Sequence, residues 1–411
     1  MTSPPTADRG DAPDLRLRSL RRRLVAWAAA AEFVPLYAVY ALLFEDAGLT
    51  PASISIGFVV WSATTVLLEV PSGALADRVS RRGLLVASTV LRAVGFTVWL
   101  AWPGLPGVVT GFVLWGASGA AESGTWQALV WDELARLGRT DAYTNVVARM
   151  AQAEGVAIVV ALLAAAPLVA AFGLTGVGVI SIALHAVTVA VVLSLPEVRA
   201  VRGVDEPTGW RAWTGTLRTG VAAATRTPVL ARLVVLGALL EVITVIEEYV
   251  PLLARDLGAS DTLVPVLVVL PWAGNLVGAE VAARRPNLAP RAAAAIVLIG
   301  GGALVGGALS GHPLGIVGIG AMYATVQTAV VLAGARLQDH APDGVRATVA
   351  SVGGFVTELL AIGAFGVVGV LSAGVGLPVA VALMVVPLVA AAAMTPRWLP
   401  AGVAGSARTP S

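Results

Sequence analysis

The sequence predicts an all-α membrane protein with 12 transmembrane helices in two pseudo-symmetric six-helix bundles. Of the 411 residues, 57% are hydrophobic and 13% are charged, whereas about a quarter of the residues in soluble domains are charged. The apolar residues form separate runs close to the ~20 residues that a helix needs to cross a bilayer. One long polar segment, residues 197–228, divides these runs into two sets of six.

The candidate spans follow one another along the whole chain. Those of the first half lie near residues 24–44, 54–75, 83–101, 107–131, 145–171 and 174–195, and those of the second half near residues 229–253, 263–283, 290–310, 313–335, 345–371 and 374–394. The predicted domains are therefore a tail (1–23), a first bundle (24–196), a central loop (197–228), a second bundle (229–396) and a tail (397–411).

Arginines occupy every second connection between the spans. The intervening connections hold only Arg255, which is followed by Asp256 and Asp261. Basic residues remain on the cytoplasmic side of a membrane, so we expect both termini in the cytoplasm and the spans in the cell membrane. This distribution also accounts for the basic charge without a nucleic-acid partner.

The first span follows a basic triplet, Arg21 to Arg23. The apolar run after it is too long for the hydrophobic region of a signal peptide and lacks a small-residue cleavage site, so we expect an uncleaved helix. Residues 1–20 are rich in Pro, Asp and Arg and are predicted to be a disordered tail.

The central loop contains apolar residues at helical spacing, namely Trp210, Trp213, Leu217 and Val221. This pattern is typical of an amphipathic helix at a membrane surface. A loosely ordered linker is the alternative.

The connection between spans 2 and 3, from Gly73 to Arg82, has the sequence GALADRVSRR. A decayed copy, GAEVAARR over residues 278–285, stands between spans 8 and 9. A degenerate repeat of six spans is typical of two-lobed secondary transporters.

The Gly73–Arg82 segment resembles the loop motif of the major facilitator superfamily, and the span count and second copy extend the resemblance across the chain. The resemblance implies that Gly73, Asp77, Arg78, Arg81 and Arg82 form a gate that locks the cytoplasmic ends of the two lobes. The alternative is that the arginines only anchor the loop in the cytoplasm. That alternative does not account for Gly73 or Asp77.

Further features resemble a bacterial drug-exporter-like branch, including the EVPSG sequence that ends at Gly73. The chain departs from better-known drug exporters at span 4, where Phe112 stands in place of an arginine four residues before Gly116. It also has Ala166-Pro167 in place of a Gly-Pro pair in span 5.

Charged residues inside the spans are expensive and therefore usually paired or functional. In the first half these residues are Glu32, Glu69, Arg92, Glu122 and Glu154. We expect Glu69, Arg92 and Glu154 to form a structural charge cluster, and Glu32 to be a candidate for proton or substrate binding.

Glu122 is a candidate substrate-binding residue. Trp115, Ser118 and Trp126 lie on its helical face at i−7, i−4 and i+4. An acid framed by the indoles of Trp115 and Trp126 suits an organic cation. The alternative is that both tryptophans only pack or face lipid.

In the second half, Glu241, Thr244 and Glu248 share one face of span 7, and Glu358 lies near the middle of span 11. Shielded carboxyl groups retain protons more readily than groups in water, so Glu241, Glu248 and Glu358 are the candidates for proton binding. Glu247 is expected to point elsewhere. The alternative is that Glu247 and Glu248 lie close enough to the outer interface to be hydrated, whereas Glu241 and Glu358 are expected to lie far from both water phases.

The sequence indicates a secondary active transporter that moves small lipophilic or cationic molecules by alternating access, with proton-coupled efflux as the first hypothesis. The runner-up is a proton-coupled nutrient importer. A membrane-embedded enzyme or sensor is the third, but the sequence has no metal-binding or nucleotide motif. We therefore expect no enzyme activity, no cofactor, no metal and a monomer whose partners are substrate, protons and lipid.

Overall fold

The computed structural model describes residues 11–76, 79–197, 210–342 and 346–401. All regular structure in this part of the chain is helical. The helices are α1 Asp11–Glu32, α2 Tyr40–Asp46, α3 Pro51–Ala76, α4 Arg81–Ala101, α5 Leu105–Glu122, α6 Thr125–Arg136, α7 Tyr143–Ser194, α8 Trp210–Arg226, α9 Pro228–Glu241, α10 Val250–Asp256, α11 Val264–Arg284, α12 Pro290–Ala308, α13 Ile316–His340, α14 Arg346–Val375, α15 Leu377–Leu383 and α16 Val385–Trp398.

These helices form the twelve predicted spans. Ten stretches of the described chain are long and apolar enough to cross a membrane. One of them, Thr140–Ser194, contains spans 5 and 6, because α7 is interrupted by non-helical backbone at Gly173. Residues 149–160 and 184–191 line the same groove, so the chain reverses at this interruption. Helices α5 and α6 form span 4, which brings the total to twelve.

The two lobes repeat the same packing. Spans 2 and 4 pack closely in the first lobe, as spans 8 and 10 do in the second. A Cβ atom on Gly116 would lie 2.8 Å from the Trp61 carbonyl oxygen, and one on Gly320 would lie 2.9 Å from the Leu270 carbonyl oxygen. The same close backbone approach therefore occurs at equivalent places in both lobes.

The first helix begins earlier than predicted. Residues from Asp11 onwards are helical, although residues 1–20 were expected to be disordered. Leu17, Leu20 and Leu24 recur at i, i+3 and i+7, and they pack in an apolar cluster that includes Leu134. This burial stabilises the helix despite the charged residues between the leucines.

The central segment contains helix α8, so a loose linker is excluded for residues 210–226. Gly220 lies against Thr348 and Val352 of α14, and Ala224 is buried in a small cluster with Val234. Helix α8 therefore packs against the second lobe.

Spans 1 and 7, which are equivalent in the two lobes, are both interrupted near the middle of the molecule. In span 1, a 3-10 turn over Pro35–Ala38 separates α1 from α2. In span 7, a 3-10 segment over Val242–Tyr249 separates α9 from α10. Such segments within a long helix often mark a functional hinge, and both lie at the central cavity.

Candidate functional site

A cavity of about 340 Å³ lies between the two lobes at the interrupted spans. Its charged lining consists of three glutamates and one arginine, namely Glu32, Arg92, Glu247 and Glu248. The rest is largely aromatic and aliphatic, and the aromatic residues are Tyr37, Tyr40, Trp61, Trp115 and Trp272. A small organic molecule fits a site of this size and chemistry.

Arg92 is already neutralised by neighbouring carboxylates. Its side chain is 9% exposed and lies 3.0 Å from Glu122 and 3.5 Å from Glu32. It also donates a hydrogen bond of 3.1 Å to the Tyr37 hydroxyl. The ion-pair partners of Arg92 among the described residues are Glu32 and Glu122 and not Glu69 and Glu154, the partners predicted from the sequence.

The aromatic wall of the first lobe is a stack of three rings. Trp115 lies between Tyr37 and Trp61, with ring centroids 5.4 Å and 4.8 Å away and nearly parallel planes. Tyr40 meets Trp115 edge-on at 5.9 Å. Flat aromatic faces next to carboxylates attract organic cations.

The second lobe contributes Glu247 and Glu248. Tyr40 of the first lobe donates a hydrogen bond to Glu248, and Glu247 lies beside Trp272. Both carboxylates line the cavity, so the prediction that Glu247 points elsewhere is wrong. The reason is the 3-10 segment, which turns about 20° more per residue than an α-helix and rotates Glu247 toward the cavity.

Glu122 and Trp126 are not brought together as predicted. Span 4 breaks at Gly124, whose φ of 72° is readily adopted only by glycine. Beyond this break Trp126 turns toward Trp27, with a ring-centroid distance of 6.5 Å. Trp115 remains in the cavity, but the expected frame of two indoles around Glu122 is absent.

Glu241 and Glu358 lie outside the central cavity. The Thr357 hydroxyl donates to Glu241 over 3.1 Å within the second lobe. Glu358 accepts a hydrogen bond of 2.8 Å from Ser62 of the first lobe. Glu358 is exposed in a second cleft, of about 490 Å³, that Glu69 also lines. The expectation that Glu358 is remote from water is therefore wrong for this conformation.

The described arginines of the predicted gate contact the first lobe. Arg81 forms an ion pair with Asp132. Arg82 donates to the Leu195 carbonyl oxygen over 3.0 Å and lies 3.4 Å from Glu197. Asp77 and Arg78 lie outside the described residues, as does the side chain environment at Gly73.

At the opposite end of the molecule the two lobes are tightly joined. Arg255 lies 2.9 Å from Glu45 and 2.7 Å from Asp46, both at the end of span 1. Ser55 and Tyr249 share a hydrogen bond of 2.7 Å between the lobes. The sequence signal for this contact was the isolated position of Arg255 among otherwise arginine-free connections.

Comparison with known proteins identifies the family. The model of the Major Facilitator Superfamily matches residues 24–365. The chain belongs to this superfamily. It is therefore a multi-pass membrane transporter rather than an enzyme, and its substrates are small molecules.

Solved structures of other superfamily transporters share the fold. A bacterial homologue of the human lysosomal transporter Spinster, in an inward-facing and unoccupied conformation, has a TM-score of 0.72 and 14% identity over 92% of this chain and 96% of its own. The nucleoside transporter NupG has a TM-score of 0.67 and 14% identity over 93% of this chain and 99% of its own. A D-xylose–proton symporter has a TM-score of 0.67 and 13% identity over 95% of this chain and 99% of its own. None of the curated proteins compared with the sequence matches it.

Proposed function

We propose that this transporter exports small lipophilic cations across the cell membrane in exchange for protons. The observation that carries the proposal is the charge of the central cavity. Among the described residues Arg92 is the arginine that lines it, and Arg92 is paired with Glu32 and Glu122. Glu247 and Glu248 therefore provide net negative charge beside aromatic faces. A cation is stabilised there by charge and by cation–π contacts.

Proton coupling uses the same carboxylates. Glu248 is held by the Tyr40 hydroxyl across the interface between lobes, so its charge state is connected to the contact between them. A proton and a cation that compete for one carboxylate give exchange, because binding of either one displaces the other. The proposal therefore moves the leading coupling site from Glu241 and Glu358 to Glu247 and Glu248.

The exporter proposal also includes the orientation of the protein in the membrane. Arginines lie in the connections at the end of the molecule that carries both termini, which supports a cytoplasmic location for that end. The contacts around Arg255 then close the external side, and the cleft lined by Glu69 and Glu358 opens toward the cytoplasm.

The experiment is transport in proteoliposomes with tetraphenylphosphonium as the cationic probe and an imposed pH gradient. We expect protons moving down their gradient to drive the probe in the opposite direction. Glu247→Gln and Glu248→Gln together should abolish gradient-driven accumulation while retaining the shape of the site. The matched control is Glu280→Gln, since Glu280 is an exposed carboxylate at the end of span 8.

Three outcomes contradict the proposal. Probe and protons that move in the same direction indicate a symporter and favour the importer alternative. Full gradient-driven accumulation by the double variant places coupling elsewhere, with Glu241, Glu358 and Glu32 next to be tested. Transport of an uncharged sugar or nucleoside without transport of the cation excludes the proposed substrate class.

A further inference from the structure

A groove larger than the central cavity and the cleft at Glu358 lies on the outer face of the first lobe. It has a volume of about 1030 Å³ and lies between α1 and both halves of α7. Its walls are formed mainly by small or branched apolar side chains such as Val25, Ala29, Val156 and Val187. Val156 is 64% exposed and Val187 is 54% exposed, so the groove opens toward the surrounding hydrocarbon.

Three arginines line one end of this groove. They are Arg21 and Arg22 of α1 and Arg149 of α7, all of them exposed. The groove then continues along α1 to Phe33, which directly follows this helix, and along α7 to Val160. It therefore has a cationic end at the side of the chain termini and an apolar body that extends into the membrane.

The cationic end lacks a compensating acid. In the part of the chain that the structure describes, no carboxylate lines the groove, and none of the three arginines forms an ion pair. Arg149 donates a hydrogen bond of 3.3 Å to the uncharged side-chain oxygen of Gln152. In contrast, Arg81 and Arg139 at the same end of the lobe are paired with aspartates.

We infer that this groove binds an anionic phospholipid of the leaflet on the side of the termini. The guanidinium groups of Arg21, Arg22 and Arg149 hold its phosphate, because planar guanidinium donors match phosphate oxygens. An acyl chain lies along the apolar walls. Basic pockets between transmembrane helices at this depth suit anionic head groups, and the shape excludes a free phosphate as the complete ligand.

The bound lipid joins helices that also form the transport site. Helix α1 ends at Glu32, and the side chains of Ile158 and Leu162 from α7 line the central cavity. A lipid that bridges α1 and α7 therefore stabilises the first lobe on the side away from the substrate. This inference does not depend on the proposed substrate or on the direction of transport.

The test is native mass spectrometry of the delipidated protein with phosphatidylglycerol or phosphatidylcholine that carry the same acyl chains. We expect a saturable phosphatidylglycerol adduct on the monomer. An arginine near an anionic surface contributes about fivefold to binding, so Arg21→Gln, Arg22→Gln and Arg149→Gln together should weaken the adduct at least about tenfold. The control combines Arg285→Gln, Arg291→Gln and Arg397→Gln, which remove the same charge elsewhere at this end and should leave the adduct unchanged.

A second variant tests the apolar body. Ala26→Trp with Ala153→Trp fills the groove between α1 and α7 and should displace the lipid while every arginine remains. Equal binding of the two lipids, or equal loss in both arginine triples, overturns the inference. A dimer that forms only without lipid and dissociates in the tryptophan variant identifies a second copy of the chain as the occupant and also overturns it.

Discussion

Arg255 holds the two lobes together at the end opposite the chain termini, and its removal gives the sharpest conformational prediction. It contacts Glu45 and Asp46 of the first lobe at 2.9 Å and 2.7 Å, and Asp261 of its own lobe at 2.8 Å. Arg255→Gln removes the cation from all three carboxylates. We expect this variant to open at that end more often than the wild type.

The size of the shift toward the open conformation follows from the solvent exposure of the two carboxylates that Arg255 contacts in the first lobe. Glu45 is 29% exposed and Asp46 is 54% exposed, so solvent screens both pairs. Exposed ion pairs contribute about 0.2–1 kcal/mol each. Of the three ion pairs that Arg255 forms with described residues, these two cross the lobe interface, which gives a total of about 0.4–2 kcal/mol. The ratio of open to closed molecules should therefore rise by about 2- to 30-fold.

The cysteine-free chain allows spin labels to be placed at Ala47 and Thr262, on either side of this contact, for distance measurement by pulsed electron paramagnetic resonance. Arg255→Gln should increase the long-distance population. The matched control is Arg139→Gln, since Arg139 also bridges two aspartates but lies within one lobe. An unchanged distribution in Arg255→Gln, or an equal change in the control, would refute the reasoning. Glu45→Arg with Arg255→Glu should restore part of the closed population.

Two further predictions concern the first lobe. Arg92→Gln leaves Glu32 and Glu122 without their cation, and loss of one partner of a buried pair costs about 3 kcal/mol. Thermal unfolding in detergent should therefore occur at a lower temperature, whereas Arg92→Lys should retain most of the stability. An unchanged melting temperature of Arg92→Gln would show that the pairing does not stabilise the fold. If the Gly73–Arg82 segment is a gate, Asp77→Asn should reduce transport in proteoliposomes while membrane insertion and substrate binding persist. Undiminished transport would show that this segment only anchors the connection in the cytoplasm.

The spans could be predicted because hydrophobic length and arginine placement are local properties of the sequence. The charged network could not, because the partners of Arg92 come from different helices and depend on how those helices pack. Local helix breaks caused the other differences. Glu247 faces the cavity because of a 3-10 segment, and Trp126 leaves the face of Glu122 because of Gly124. A glycine directly after Glu122 and Ser123 was the available signal for the second break.

The interruptions of spans 1 and 7 provide bending points for opening of the external side. Helices α2 and α10 have seven residues each and are connected to α1 and α9 through non-α backbone. Dihedral changes at residues 33–39 and 242–249 therefore change the angle of these two short helices relative to α1 and α9. Since the two helices carry Asp46 and Arg255, such a change separates this ion pair, but it also requires their buried side chains to repack. External opening further breaks the Ser55–Tyr249 hydrogen bond, so spans 1 and 7 cannot open this side without the movement of span 2 against the second lobe.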